Sequence, residues 1–310
     1  MADYLVGAGG WAYYQIPGLH PLVAYSQAFN FVEVNSTFYQ LPTLREATRW
    51  RELVPPDFHF AVRAHRTITH KHKLQPTEEA LETLEKMKQI CDALKADVLH
   101  LQSPPSFKLT KTSIAGIGSL LASANPKQTR IALELRGADN KKLPSDLIST
   151  MQDNNVVHCV DLSKDQTPAY QSDMLYSRLF GKGQHNVYQP TDDELADIDK
   201  KATAIKAEKI TMSFHFVRMY KDAARMKIYK QTGKFSQITD STGLASLEEV
   251  LSEDAAFPTT KQQLIDSQGW KLYDATENQR LHTSVTLRKL PDRTYNDTSD
   301  VIDALRSMAG

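Results

Sequence analysis

Apolar residues along this chain recur in short runs, each bounded by turn residues or by segments of helical periodicity. The runs are YLVGA (4–8), FNFVEVN (29–35), FHFAVRA (58–64), DVLHLQ (97–102), RIALELR (130–136), VVHCVDL (156–162), MLYSRLF (174–180) and KITMSFHF (209–216). Their lengths and their β-branched and aromatic content predict strands. Helical spacing lies between several of them. Residues 77–95 carry Leu81, Leu84, Cys91 and Leu94 near one face behind Pro76, 145–152 and 192–207 follow the same pattern, and Thr191 with Glu194 forms a capping-box pair. After the first and sixth strands the helical signal is weak, and Pro17, Gly18 and Pro21 interrupt the first of these connections.

Eight strands alternating with helices in residues 1–232 predict an α/β fold of the TIM-like (β/α)8 type, for which about 250 residues is typical. A doubly wound open sheet is the alternative. Past residue 232 the alternation stops. QTGKFSQITDSTG reads as a linker, followed by helices near 244–254 and 282–289 and a capping box at Thr259 and Gln262. Residues 233–310 are therefore expected to form a small, mostly helical C-terminal module.

Strand side chains alternate between two faces, and in a barrel the helix-facing set must be apolar. Val32 and Val34 oppose Phe31, Glu33 and Asn35, while Phe58, Phe60 and Val62 oppose Ala61, Arg63 and His65. Leu99 and Leu101 oppose Val98, His100 and Gln102, and Ile131, Leu133 and Leu135 oppose Ala132, Glu134 and Arg136. Leu175 and Leu179 oppose Tyr176, Arg178 and Phe180, and Met212, Phe214 and Phe216 oppose Thr211, Ser213 and His215. The sixth strand is ambiguous, with His158 on one parity and Asp161 on the other. The polar positions come late in each strand, at the end where barrels of this type build active sites. A purely structural network of lumen ion pairs is the competing explanation, although desolvation makes buried pairs a poor route to stability.

Charge narrows the partners. Lys+Arg and Asp+Glu both number 37, so the 310-residue chain is formally neutral, and 41% hydrophobic with 24% charged residues is a soluble globular balance. Neutrality disfavours nucleic acid as a partner. No apolar run reaches the roughly 18 residues of a membrane helix, and MADYLVGAGGW lacks a signal-peptide pattern, so a cytoplasmic protein with no membrane partner is expected. Cys91 and Cys159 fit no metal spacing and read as buried free thiols.

Gly7, Gly9 and Ala12 fit a dinucleotide fingerprint, with Glu33 at the next strand end, but no helix opens directly behind them to meet a pyrophosphate. A glycine-rich turn at the barrel mouth explains them better. RAHRTITHKHK (63–73) gathers Arg63, Arg66, Lys71 and Lys73 beyond the third strand, as either an anion site or a solvated basic loop.

GGW (9–11), EVNSTFY (33–39), ITH (68–70), LQSPPSF (101–107), ELR (134–136) and SRLFG (177–181) occur in this order. Together they resemble the YecE-like family, domain of unknown function 72, over about residues 1–230. The resemblance implies a TIM-like barrel and assigns no reaction. Glu33, Asn35, His70, Gln102, Glu134, Arg136 and Arg178 match the family's motifs. Departures are Phe180, where the family often has histidine, GADN after ELR, and Phe214-His215-Phe216 near the eighth strand. Residues 257–305 look similar to the small domain of unknown function 2795, which implies an interaction module whose protein partner is unknown.

Three functions compete. In the leading one, an enzyme of hydrolase or lyase type holds a phosphate- or carboxylate-bearing small molecule or phosphoester. Its candidate catalytic residues are Glu33, Glu134 and His70, and its candidate substrate-binding residues are Asn35, Arg63, His65, Gln102, Arg136, Arg178 and His215. No cofactor is predicted for it. The second is a divalent-metal phosphoesterase or nuclease-like barrel using Glu33, His100, Glu134 and His215 as ligands. The third is a non-catalytic binding protein acting through the C-terminal module.

Overall fold

A computed structural model describes residues 2–124 and 128–309. Eight parallel strands are β1 (Asp3–Ala8), β2 (Phe31–Val34), β3 (His59–Arg63), β4 (Val98–Gln102), β5 (Arg130–Glu134), β6 (Val157–His158), β7 (Met174–Leu179) and β8 (Lys209–Phe214). They pair in the order β6-β5-β4-β3-β2-β1-β8-β7. A parallel bridge between Val160 and Ser177 joins the two ends, with Val160 N–H donating to Tyr176 O and Arg178 N–H to Val160 O. The expected (β/α)8 barrel is therefore what the chain forms.

Connecting helices are α1 (Pro21–Ala28), α2 (Leu44–Glu52), α3 (Glu78–Leu94), α4 (Lys111–Ala124), α5 (Ser145–Asp153), α6 (Asp192–Ala204) and α7 (Met219–Thr232). Local chemistry sets their ends. Thr43 and Glu46 make a reciprocal capping box on α2. Thr77 caps α3, Glu78 and Glu79 oppose its N-terminal dipole, and left-handed Lys95 stops it. Contrary to expectation, Pro21 does not interrupt a helix. It occupies the first turn of α1, where a missing N–H costs nothing, and His20 Nδ1 accepts from Leu22 N–H. The connection after β6 holds only a 3₁₀ turn, Leu162–Lys164.

Gly7 has a structural explanation that needs no dinucleotide. Tyr25 of α1 reaches between β1 and β2, its hydroxyl accepting from Ala8 N–H and donating to Phe31 O, both at 2.8 Å. A Cβ on Gly7 would lie 2.0 Å from Phe31 O. The lower lumen is apolar, filled by Leu5, Phe31, Ala61, Val98, Ala132, Val157, Cys159, Met174 and Tyr176. This layer resolves the sixth strand: Val157 and Cys159 face the lumen, so Asp161 shares their parity. His158 faces outward and its Nδ1 accepts from Ala169 N–H.

The chain divides into two compact units. The first runs to Phe180 and adds Ile198–His215 and Met219–Ala224. The second contains Gly181–Asp197, Phe216–Arg218 and everything from Arg225. Besides helices α8 (Leu244–Ser252), α9 (Lys261–Gln268), α10 (Thr283–Leu287) and α11 (Thr298–Ala309), this part carries short antiparallel pairs that the sequence did not disclose. These are β9 (Thr259–Thr260) with β12 (Thr294–Tyr295), and β10 (Leu272–Thr276) with β11 (Gln279–His282). The capping box also lies one residue later than expected, at Thr260 and Gln263, so α9 begins at Lys261. Leu247, Val250, Leu251, Leu264, Tyr273, Leu287, Tyr295 and Val301 are among the residues of its own apolar core. No described helix is long and apolar enough to cross a membrane. Cys91 and Cys159 are free and buried, as expected.

Candidate functional site

Above the apolar layer, the C-terminal ends of the barrel strands gather charge. Arg178 on β7 is the hub, with its side chain 2% exposed. Its Nε donates to Glu33 Oε2 at 2.9 Å, its Nη2 to Glu33 Oε1 at 2.9 Å, and its Nη1 to Glu134 Oε2 at 2.7 Å. Such forked bonding fits guanidinium to two carboxylates at once. Tyr176, two residues earlier on the same face, donates its hydroxyl to Glu33 Oε2 at 2.5 Å. Burial alone would raise both carboxyls. Burial is the largest single influence, but Arg178 together with His215 at Glu33, and with His100 and Arg136 at Glu134, outweighs it, and both lie well below the ordinary carboxylate range.

The two carboxylates are not equivalent. Glu33 is fully buried, whereas Glu134 is 15% exposed. Glu134 Oε1 accepts from Gln102 Nε2 at 2.8 Å and from Arg136 Nε at 3.1 Å. Gln102 Oε1 in turn accepts from Arg63 Nη2 at 2.6 Å. Arg63 lies over the Phe38 ring at 3.9 Å, and its buried Nε has no hydrogen-bond partner. Burial, then repulsion from Arg178, lowers the Arg63 pKa below its usual value, though the group stays charged at neutral pH. Arg136 is 38% exposed and, like Arg178, packs on the Phe180 ring.

Histidines border this centre in neutral form. His215 stacks on Phe180 at 4.7 Å, lies 3.0 Å from Ser213 Oγ and stands 3.6 Å from Glu33. Burial and Arg178 pull its pKa down to about 4. His100 Nε2 lies 3.2 Å from Glu134 Oε2 but off the line of a hydrogen bond, so neither ring nitrogen has a partner. Burial and Arg178 lower its pKa as well. His70 sits in a π-helical turn, Thr67–Lys71, with Nδ1 2.9 Å from Thr69 Oγ1 and its ring edge-on to Phe38. Burial, Arg63 and Arg136 depress its pKa.

The other expected residues have different places. Asn35 follows β2 directly and donates to Gly9 O at 3.1 Å. His65 engages Thr67 Oγ1 and Tyr39 O, so it braces two loops. In the basic loop, Lys71 and His72 both pair with Glu79, and Arg63 is the member that joins the ion cluster. Thr37 Oγ1 lies between Val34 O and Arg63 O and ties the ends of β2 and β3 together.

Sequence reasoning passed over Tyr176, Asp161 and the Phe180 shelf as site residues. Tyr176 was detectable, since it shares the lumen parity of Arg178. Asp161 was not, because too little of the sixth strand pairs to fix its face. Asp161 Oδ2 accepts from Phe180 N–H at 3.2 Å, and burial pushes its carboxyl up to about 6.

His100, Glu134 and Cys159 bring one ligand atom each within 4.8 Å of one another. Their fit to a divalent metal is poor. Burial raises the Cys159 thiol well above its usual pKa, which disfavours the thiolate a metal needs. Glu134 Oε2 is already bonded to the Arg178 cation. Of the four ligand types expected from sequence, Glu33 and His215 are not in this group.

Known proteins agree with the fold. Crystal structures of a DUF72 family protein from Thermotoga maritima and another from Enterococcus faecalis are similar to this chain. The first is 19% identical with a TM-score of 0.60 and covers 74% of this chain and 99% of that one. The second is 18% identical with a TM-score of 0.59 and covers 75% and 98%. The UPF0759 protein YecE of Escherichia coli K12 is 34% identical over 91 residues, 29% of this chain and a third of the relative's own length. Residues 5–234 match the family described as "Protein of unknown function DUF72", and this chain belongs to that family.

Proposed function

We propose that the C-terminal mouth of the barrel is an anion-binding active site of hydrolase or lyase type. The observation that carries this is the charge balance. Three guanidiniums (Arg63, Arg136, Arg178) face two carboxylates (Glu33, Glu134), and the neighbouring histidines are held neutral. Arg178 is consumed by both carboxylates, so the surplus positive charge falls on Arg63 and Arg136. A phosphate or carboxylate between those two would offset the repulsion that Arg63 feels.

Roles follow from exposure. Glu33 and Tyr176 fix Arg178 and do not meet the substrate. Arg63 and Arg136 clamp the anion, and Gln102 orients Arg63. Neutral His70 accepts a proton at Nε2, either from an attacking water or from substrate carbon, and Glu134 holds Gln102 and Arg136 in place by accepting from both. The test is turnover on a panel of phosphate monoesters and hydroxycarboxylates, with and without added Mn²⁺ or Zn²⁺. Loss of at least about a hundredfold in kcat for His70→Ala and Glu134→Gln, without need of metal, is expected. Full activity in both variants, or activity only with metal, would overturn the assignment.

The C-terminal segment is a separate matter. We read residues 257–305 as an interaction module of the domain-of-unknown-function-2795 type; the apolar core they share with Leu247, Val250 and Leu251 supports a folded unit there.

A further inference from the structure

Beside the ion-pair centre lies a cleft of about 450 Å³, lined by Gly9–Tyr13, Asn35, Ser36, Tyr39, Met219 and Tyr220. That volume is in the range of small-molecule sites, about 300–1,000 Å³. Its chemistry is opposite to that of the centre. No acidic or basic side chain lines it, and four of its walls are aromatic: Trp11, Tyr13, Tyr39 and Tyr220. Tyr13 is 84% and Tyr39 68% exposed, so two broad rings stand open to solvent. Trp11 is braced edge-on by Trp50 and Tyr220 by Tyr14, which holds the remaining walls in place.

Cleft and centre share a wall. Asn35 donates to Gly9 O, and its buried Oδ1 has no partner. Gly9 packs against His215 so closely that a Cβ there would lie 2.4 Å from the ring, and His215 is the neighbour of Glu33. On the other side, Tyr39 packs on Phe38, the ring that carries Arg63.

We propose that this cleft is the second subsite of the same active site and takes a neutral planar ring, so that the substrate is bipartite: an anionic head on Arg63 and Arg136, and an aromatic or heteroaromatic body between Trp11, Tyr13 and Tyr39. Stacking on aromatic walls favours flat, uncharged rings, and the open space beside Gly10, where an added Cβ would meet nothing within 4 Å, leaves them room. The proposal rests on the anion-binding reading above.

Two probes separate the claims: methylphosphonate, which has only the head, and benzylphosphonate, which adds a ring. Calorimetric titration should find both binding, with benzylphosphonate tighter by at least about tenfold. Ala12→Trp places bulk in the cleft from an exposed turn. It should bring benzylphosphonate down to the affinity of methylphosphonate, which itself should not change. Tyr13→Ala, which removes an exposed ring, should weaken benzylphosphonate alone. Equal binding of the two probes, or no response to either variant, overturns the ring subsite and leaves the anion site standing. Failure of both probes to bind overturns both.

Discussion

Each compact unit buries an acidic side chain against arginine, and the two solve the problem differently. In the second unit, Asp274 is fully buried. It accepts from Ile238 N–H, Thr239 N–H and the Thr239 hydroxyl through Oδ2, and from Arg280 Nε through Oδ1. Arg280 also bonds Asp192, which pairs with Arg225, so two acids meet two arginines. Neither Asp274 nor Arg280 has a buried side-chain atom without a partner. In the barrel, three arginines meet two acids, and Arg63 Nε, Asn35 Oδ1 and both nitrogens of His100 lack partners. A charge-balanced network holds a fold together. An unbalanced one at a barrel mouth is arranged for something that comes and goes.

The largest effects should come from breaking each hub. Arg178→Met leaves two buried carboxylates facing each other and should cost about 3–5 kcal/mol, and Arg280→Met should cost a similar amount in its own unit. Urea unfolding followed at Trp11 and Trp50 reports on the first, and at Trp270 on the second. The comparison is sharpened by binding: phosphate affinity should collapse in the first variant and be unchanged in the second.

Next in size is acid sensitivity of the barrel. His215 and His158 have folded pKa values of about 4 against an ordinary 6.5. Between those limits the unfolded chain binds protons that the folded chain does not, so stability is lost as pH is lowered, by about 1.4 kcal/mol per unit for each group. Asp161, raised to about 6, works in the opposite direction over part of this window and offsets one histidine. Glu33 and Glu134, held below their usual range, remain ionised and add to the loss only as pH drops below the unfolded carboxyl value of 4.5. Thermal unfolding at pH 7, 5.5 and 4.5 should show the first transition moving down. A first transition independent of pH would contradict the burial of neutral histidines.

Smaller still, Arg136→Gln should weaken phosphate binding about tenfold, or 1.4 kcal/mol, while leaving stability within about 0.5 kcal/mol, because the side chain is partly exposed. Thr260→Ala removes the cap of α9 and should cost the second unit about 1 kcal/mol, with no effect on anion affinity.

Much of the barrel could be read from the order of residues, because parallel strands buried on both faces are long enough to display alternation. Glu33, Arg63, Gln102, Glu134 and Arg178 were placed on the lumen face by parity alone, and the distances bring them together. What parity could not convey is which arginine is already spoken for. Arg136 and Arg178 look alike in ELR and SRL, yet one is half open and the other locked between two acids. The sixth strand, with two paired residues, gave too little alternation to place Asp161. The pair of β9 with β12 is not legible because two-residue strands carry no periodicity, and Pro21 is ambiguous because proline breaks a helix interior but suits its first turn.

The central claim is that the surplus charge of Arg63 and Arg136 binds an anion. Calorimetric titration of inorganic phosphate at low ionic strength tests it most directly, comparing the wild-type chain with the Arg63→Gln/Arg136→Gln double variant. Saturable binding at one site in the wild type, absent in a folded double variant, is the predicted result. No binding by the wild type, or equal binding by both, would contradict it.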